Sequence, residues 1–371
     1  MANRALDNKC PACGAPILYK PNLKKWKCDY CKSEFTLEEM KKYNNASNEK
    51  NNLKEDTNEK TLSQEKLKAE NEKAKYVEYN CKDCGAKIIA DEQTAATFCI
   101  YCGNTAILKE KLSGKFAPDM IIPFKNEKEL AIESFKSLNK GRPLMPNFFN
   151  DAKNIEKIRG VYIPFWLFDV KVAGELAATS TKSSSWTIGD TVYTKIDTYK
   201  LEREGTMEFN KIPVDGSTRF DDDIMNTIEP FDYEELENYN HAYLSGFLAE
   251  KYDVEEIESF KTASSRSINS ARDEMKNDMG MGIKSVIKDK FSANKLLTKY
   301  VLLPVWMINV KYNNKFYIFA MNGQTGEFVG NIPVDKKKAV KYAIITFIIT
   351  FVIVIIISYL IFFLGGNKWK S

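Results

Sequence analysis

The chain has 371 residues and a formal net charge of +4 at pH 7, with 28% charged and 44% hydrophobic residues. That length admits several domains, and a charge so close to balance argues against a polyanion recognised through bulk charge. A single histidine, His241, leaves little room for histidine-based acid–base or triad chemistry.

The first predicted elements are set by cysteine. Cys10-x2-Cys13 is followed after fourteen residues by Cys28-x2-Cys31, and Cys81-x2-Cys84 is followed after fourteen by Cys99-x2-Cys102. These two sets use all eight cysteines of the chain. A CxxC pair puts two sulfurs on one tight knuckle, and two knuckles close a tetrahedron around Zn2+. Each set therefore reads as a four-cysteine zinc ribbon, giving two structural ions, since four thiolates leave no open position for water. Gly14, Gly85 and Gly103 each follow the second cysteine of a knuckle, where a positive φ is often needed. Lys32 occupies that place in the remaining knuckle and is less suited to it. Paired disulfides are the alternative; they need an oxidising compartment, and Met1–Asp7 has no apolar signal region.

Residues 41–76 are rich in Asn, Lys and Glu, with few apolar positions, and read as a flexible linker. As a random coil they would span about 30–36 Å and let the first ribbon search for a partner. Residues 115–335 contain a weak internal duplication. The segment Tyr162–Lys171 (YIPFWLFDVK) aligns with Leu302–Lys311 (LLPVWMINVK), and each copy later reaches Ile-Pro-Val-Asp, at Ile212–Asp215 and Ile332–Asp335. Upstream of each we pair Pro123-Phe124 with Pro230-Phe231. Helices are expected at Glu127–Asn139, Tyr233–Glu237 and Val254–Met279. Two strands are expected within Thr191–Phe209, and a hairpin within Tyr312–Val329, where Asn322-Gly323 and Thr325-Gly326 give turn signals. Trp166 and Trp306 read as core residues. Ala343–Leu364 is a run of 22 uncharged residues. As a helix it is about 33 Å long, enough to span a hydrocarbon core of ~30 Å. Lys336, Lys337, Lys338 and Lys341 precede it, against Lys368 and Lys370 after it, so the bulk of the chain is expected in the cytoplasm.

No catalytic residue is singled out. There is no phosphate-binding P-loop, no nucleophile elbow and no zinc-protease helix motif. Zinc coordination leaves no cysteine as a nucleophile. Asp221–Asp223 reads as a solvated loop. Lys20, Lys24, Lys25 and Lys27 around Trp26 form a small basic patch, short of the concentrated face of a nucleic-acid binder.

The double ribbon, Ile121–Phe124 (IIPF), Gly160–Asp169 (GVYIPFWLFD), Tyr243–Val254 (YLSGFLAEKYDV), Phe319–Gly330 (FAMNGQTGEFVG) and the C-terminal apolar run together resemble the bacterial TFIIB-type zinc-ribbon membrane proteins. Members of that family are often labelled as relatives of the primosomal replication helicase, but this chain lacks a helicase's phosphate-binding loop. The resemblance implies Cys10, Cys13, Cys28, Cys31, Cys81, Cys84, Cys99 and Cys102 as zinc ligands and no catalytic residue. It also implies a membrane-anchored adaptor for coat-forming phage-shock-like or flotillin-like proteins under envelope stress.

The expected fold is α+β. It comprises zinc ribbon 1 (1–40), the linker (41–76), zinc ribbon 2 (77–114) and two α+β half-domains with antiparallel sheets (115–217 and 218–335). A basic segment (336–342), one C-terminal transmembrane helix (343–364) and a short tail (365–371) complete it. The expected partners are the lipid bilayer and other proteins. The alternatives are a membrane-tethered nucleic-acid regulator and a small-molecule sensor acting through the α+β body.

Overall fold

The computed structural model describes residues 9–43, 76–81, 85–91, 99–101, 107–111, 118–137, 141–146, 157–219, 222–280, 282–312, 315–330 and 332–366. Most of the predicted linker, Cys84, Cys102 and Asp221 lie outside these residues.

The fold is mixed α+β. A small N-terminal sheet holds β1 (Leu18–Lys20), β2 (Lys25–Lys27) and β3 (Glu34–Phe35). All other described strands join one large sheet. They are β4 (Tyr76–Cys81), β5 (Lys87–Asp91), β6 (Ile107–Lys111), β7 (Met120–Ile121), β8 (Arg159–Ile188), β9 (Thr191–Asp215), β10 (Glu237–Asn238), β11 (Leu248–Glu250), β12 (Ile283–Tyr312), β13 (Lys315–Asn322) and β14 (Phe328–Gly330). Besides a short helix at 37–43, the described helices are α1 (Lys128–Ser137), α2 (Asp222–Ile228), α3 (Glu256–Asp278) and α4 (Lys336–Gly366). The sheet is mixed rather than antiparallel throughout, because β7 runs parallel to β12 and β11 parallel to β8. Thr191–Phe209 also differs from expectation. It belongs to one 25-residue strand rather than two, paired along β8 and closed by a turn at Gly189-Asp190.

The sheet is organised around the antiparallel pair β8 and β12, each 30 residues long. Their middle segments are apolar at consecutive positions, the mark of strands buried on both faces. Tyr162, Trp166, Phe168, Leu302 and Trp306 point into one core, and Val161, Ile163, Phe165, Val301 and Leu303 into another. Phe135 of α1 and Ala263 and Ala271 of α3 close the first core, and Ile224, Met225 and Ile228 of α2 close the second.

The two Pro-x-Trp segments lie side by side on this pair, with Ile163 opposite Leu303. Around that point the surroundings match in detail. Trp166 donates its indole N–H to the Val254 carbonyl at 3.0 Å, and Trp306 donates to the Asn126 carbonyl at 2.9 Å. Tyr252 lies 5.2 Å from the Trp166 ring and Phe124 lies 5.1 Å from the Trp306 ring. Gly216 N–H donates to Pro164 O at 2.9 Å, and Gly323 N–H to Pro304 O at 2.8 Å. The ring that lies on Trp166 as Phe124 lies on Trp306 is Tyr252, not Phe231. Phe231 is buried in the second core, away from either indole. Each loop covers the tryptophan of the other segment, so the two parts are interlocked.

Beyond the core, β8, β9 and β12 continue as a three-stranded arm with α3 laid along one face. The buried line of α3 is Ser259, Ala263, Ser267, Ala271 and Met275, a four-residue spacing of small side chains that ends in a long one. Gly174 is needed beneath its far end. A Cβ there would fall 2.3 Å from the Phe291 ring and 3.2 Å from Met275 Cε.

Helix α4 is long and apolar enough to cross a membrane. Mean hydropathy reaches 2.9 within Lys336–Leu360, and none of that window is buried in the rest of the protein. Its two threonine hydroxyls bond back along the helix, Thr346 to Tyr342 O at 2.8 Å and Thr350 to Thr346 O at 2.9 Å, which suits a span without water. Asp335 caps its first turn, accepting from the Lys337 N–H at 2.9 Å. The root is tied to the body, since Asp335 N–H donates to Leu144 O at 2.9 Å and Lys338 Nζ to Met145 O at 2.6 Å.

Candidate metal centre

Two tight knuckles bring Cys10, Cys13, Cys28 and Cys31 together. In the first, Cys10 N–H donates to Ala15 O at 2.7 Å and Gly14 N–H to Cys10 O at 2.8 Å. In the second, Cys28 N–H donates to Ser33 O at 3.0 Å and Lys32 N–H to Cys28 O at 2.9 Å. Gly14 and Lys32 occupy the same left-handed position, with φ of 73° and 63°. The lysine adopts there a backbone that glycine reaches without steric cost. A capping box, with Thr36 N–H donating to Glu39 at 2.7 Å and Glu39 N–H to the Thr36 hydroxyl at 3.3 Å, starts helix 37–43 just beyond.

The four sulfurs lie within 4.8 Å of one another. Cys10 and Cys31 approach to 3.5 Å, and Cys13 and Cys28 to 3.6 Å. Metal–sulfur bonds of ~2.3 Å in a tetrahedron put sulfurs about 3.8 Å apart, so donor type and spacing fit a closed four-thiolate site. The electrostatics agree. Hydrogen bonding with the Ser33 side chain and backbone pulls the Cys31 thiol down to about 6. The Cys13 thiol receives a lowering backbone bond from Ala15, but desolvation and the neighbouring sulfurs outweigh it and push the thiol up to about 12. Burial raises Cys10. Sulfurs this close do not all ionise without a cation between them.

Cys81 and Cys99 are both buried in the second core, and the first knuckle of their module repeats the pattern. Cys81 N–H donates to Ala86 O and Gly85 N–H to Cys81 O, both at 2.9 Å, with Gly85 at φ 68°. Cys84 and Cys102, the other two predicted ligands, lie outside the described residues.

Both modules are built into the body, which corrects the expectation that the first swings on a tether. Trp26, between its knuckles, is 1% exposed and donates its indole N–H to Ala242 O at 3.0 Å. Tyr19 and Tyr243 pack on its ring at 4.9 and 5.1 Å, and the Tyr243 hydroxyl bonds to Glu237. The second module is joined through the sheet itself, as β11 pairs with β5 on one side and β8 on the other. Arg219 donates to Gly85 O at 2.7 Å, holding its knuckle from outside. Ser217 donates to the buried Glu250 at 2.7 Å, and burial raises the Glu250 carboxyl to about 8. The first module packs into the first core, whereas the second, as part of the sheet, feeds both: Ile89 the first core, and Cys81, Ile88 and Cys99 the second.

Sequence reasoning missed Trp26, Tyr243, Arg219 and Glu250 as fastening residues. Tyr243 and Glu250 fall inside Tyr243–Val254, a segment quoted above for resemblance alone. Trp166 and Trp306 are core residues, 8% and 7% exposed. His241 opens a short 3-10 helix, His241–Leu244.

No protein-family model matches the chain, and no solved structure matches it. The uncharacterized protein YdjG of Bacillus subtilis (strain 168) is 34% identical over 317 residues, an alignment covering 72% of this chain and 93% of that relative. With a relative of this identity matched over nearly its whole length, the chain belongs to the same family as the Bacillus subtilis protein YdjG.

Proposed function

We propose that the protein is a non-enzymatic, membrane-anchored zinc-ribbon adaptor of the TFIIB-type family. Helix α4 fixes it in the membrane, and the body docks partner proteins at the cytoplasmic face. Each four-cysteine module holds one structural Zn2+, the second completed by Cys84 and Cys102. The body between the modules and the span is a duplicated α+β unit, a reading supported by the matched surroundings of Trp166 and Trp306.

The observation that carries this reading is mechanical continuity. Asp335 caps the apolar helix and bonds to Leu144, while both cysteine modules are fastened to the same sheet by Trp26 and by β11. A protein that must present two metal-stapled surfaces at a fixed position over a bilayer needs such continuity; a freely searching zinc finger does not. Four-thiolate sites contribute folding free energy and no open coordination position, which suits docking rather than chemistry. The coat-forming phage-shock-like and flotillin-like proteins implied by the family resemblance are the partners we propose.

The test is affinity purification from native membranes in mild detergent with mass spectrometry, beside a Cys81→Ser/Cys84→Ser variant. Coat-forming or flotillin-like proteins recovered with the wild type and lost with the variant support the adaptor. Recovery of polymerase subunits or nuclease-sensitive material instead sinks it.

A further inference from the structure

The arm has two faces of different character. Side chains on one meet α3: Arg203 pairs with Asp278 at 2.5 Å, Arg272 with Asp289 at 2.9 Å, and Arg272 lies over the Phe291 ring. The alternate residues form the other face. Among the described residues, α3 is the element that covers the arm, and it leaves this second face open.

The open face is ordered by charge. The pairing aligns Glu202, Ala177 and Lys288 in one row across β9, β8 and β12, and Glu204, Glu175 and Lys290 in the next. The β9 edge is thus acidic and the β12 edge basic, with Glu175 in the middle strand bonded to Lys288. Lys200 is the exception on the acidic edge, and Ser285 shares its row. The central strand presents small side chains over a long stretch: Ala173, Ala177, Thr179, Thr181, Ser183, Ser185 and Thr187. Such a stripe lets another sheet approach to the ~10 Å of face-to-face packing.

We propose that this face packs against the same face of a second copy of the chain, about a two-fold axis parallel to the strands. That operator lays the β9 edge of one copy over the β12 edge of the other at the same height. Glu202 and Glu204 then face Lys288 and Lys290 of the second copy, twice over. The alternative two-fold, across the strands, sets acid over acid and base over base. The face is three strands wide from Lys171 to Ser180, where β12 begins, and two strands wide from there to Thr187. At roughly 30 by 14 Å plus 20 by 10 Å it offers on the order of 600 Å2 per copy at most, below the ~800 Å2 per partner of a standard interface. β14 runs in the same direction as β12, away from the arm's tip, so the chain leaves for α4 at the opposite end of the sheet. The copies would therefore join along arms that lead away from the helix roots.

Charge exchange in the full chain, followed by native mass spectrometry from detergent, tests this. Wild type is expected as a dimer. Glu202→Lys/Glu204→Lys makes both edges basic and Lys288→Glu/Lys290→Glu makes both acidic, so each alone should weaken self-association by at least about tenfold. Mixing the two variants should give a mixed dimer, and all four changes in one chain should restore the dimer. This restoration separates lost pairing from lost folding, and far-UV circular dichroism checks the fold of each variant. A monomeric wild type, half-exchanged variants that dimerise like wild type, or a mixture and fourfold variant that stay monomeric would overturn the proposal.

Discussion

Trp26 and Ala242 are joined by an indole N–H donated to a carbonyl at 3.0 Å, across 216 residues of sequence. The bond is buried, and the Trp26 ring fills the space between Tyr19 and Tyr243. A module this small has few apolar contacts of its own, so the body is part of its core. Trp26→Phe keeps much of the ring contact and leaves the Ala242 carbonyl without its donor, at a cost of about 1–3 kcal/mol. Hydrogen exchange should quicken across residues 9–43 and stay unchanged in β8 and β12. Unchanged protection of 9–43 would mean that the module is held by something other than this contact.

Metal removal should act on each module separately. Cys10→Ser/Cys13→Ser is expected to lower bound zinc, measured by elemental mass spectrometry, from two ions per chain to one. The remaining ion would mark the second site, half of whose ligands the described residues leave out. Thiolates bind metal and thiols do not, so affinity falls as pH falls. Among the first module's cysteines, Cys31 is lowered to about 6 while Cys10 and Cys13 are raised, so reloading after chelation should slow markedly below neutral pH. A variant that still binds two ions would remove the first module as a metal site.

Glu250 gives a pH signature of the opposite sign to an ordinary ion pair. Burial raises its carboxyl to about 8, while an unfolded glutamate titrates near ~4.3. Between these values the folded state holds a proton that the unfolded state does not. Stability from this group is therefore present below the unfolded value and falls as pH rises through 8, by on the order of a few kcal/mol. Glu250→Gln should unfold at a higher temperature than wild type at pH 9 and differ little at pH 5. Parallel wild-type and variant curves across that range would show that the carboxyl is ionised in the fold at neutral pH.

The cysteine spacing made the first metal cluster legible, because a CxxC knuckle is a local structure and its geometry follows from adjacent residues. The apolar helix was legible for the same reason. What the modules rest on was not, because the Trp26–Ala242 and Arg219–Gly85 contacts join residues far apart in sequence and no local spacing links one partner to the other. The arm was half legible. Alternation marked Thr191–Phe209 as strand, but its 25-residue extent depends on pairing with β8 and on support from α3. The pairing of Pro123-Phe124 with Pro230-Phe231 failed because dipeptide identity outweighed position. Each aromatic ring lies four residues after the start of a short strand, Phe124 after Met120 of β7 and Tyr252 after Leu248 of β11, and is recognised only through the indole it covers.

The matched surroundings of Trp166 and Trp306 should carry matched energies. Each indole donates one bond to a backbone carbonyl at nearly the same distance, 3.0 and 2.9 Å, and each lies against an aromatic ring from the loop that precedes a helix. Their wider settings differ: Trp166 also meets Tyr300, and Trp306 also meets Phe247. Phenylalanine at either position deletes the donor and part of the ring, so each change should cost about 2–4 kcal/mol. The two costs should agree within about 1 kcal/mol, and the double variant should be close to additive if the indoles share no partner. Denaturant unfolding of the full chain, followed by circular dichroism, measures all three. A Trp306→Phe cost several-fold that of Trp166→Phe would show that one loop closes its core and the other merely lies on it. Matched costs are what the proposed internal duplication requires.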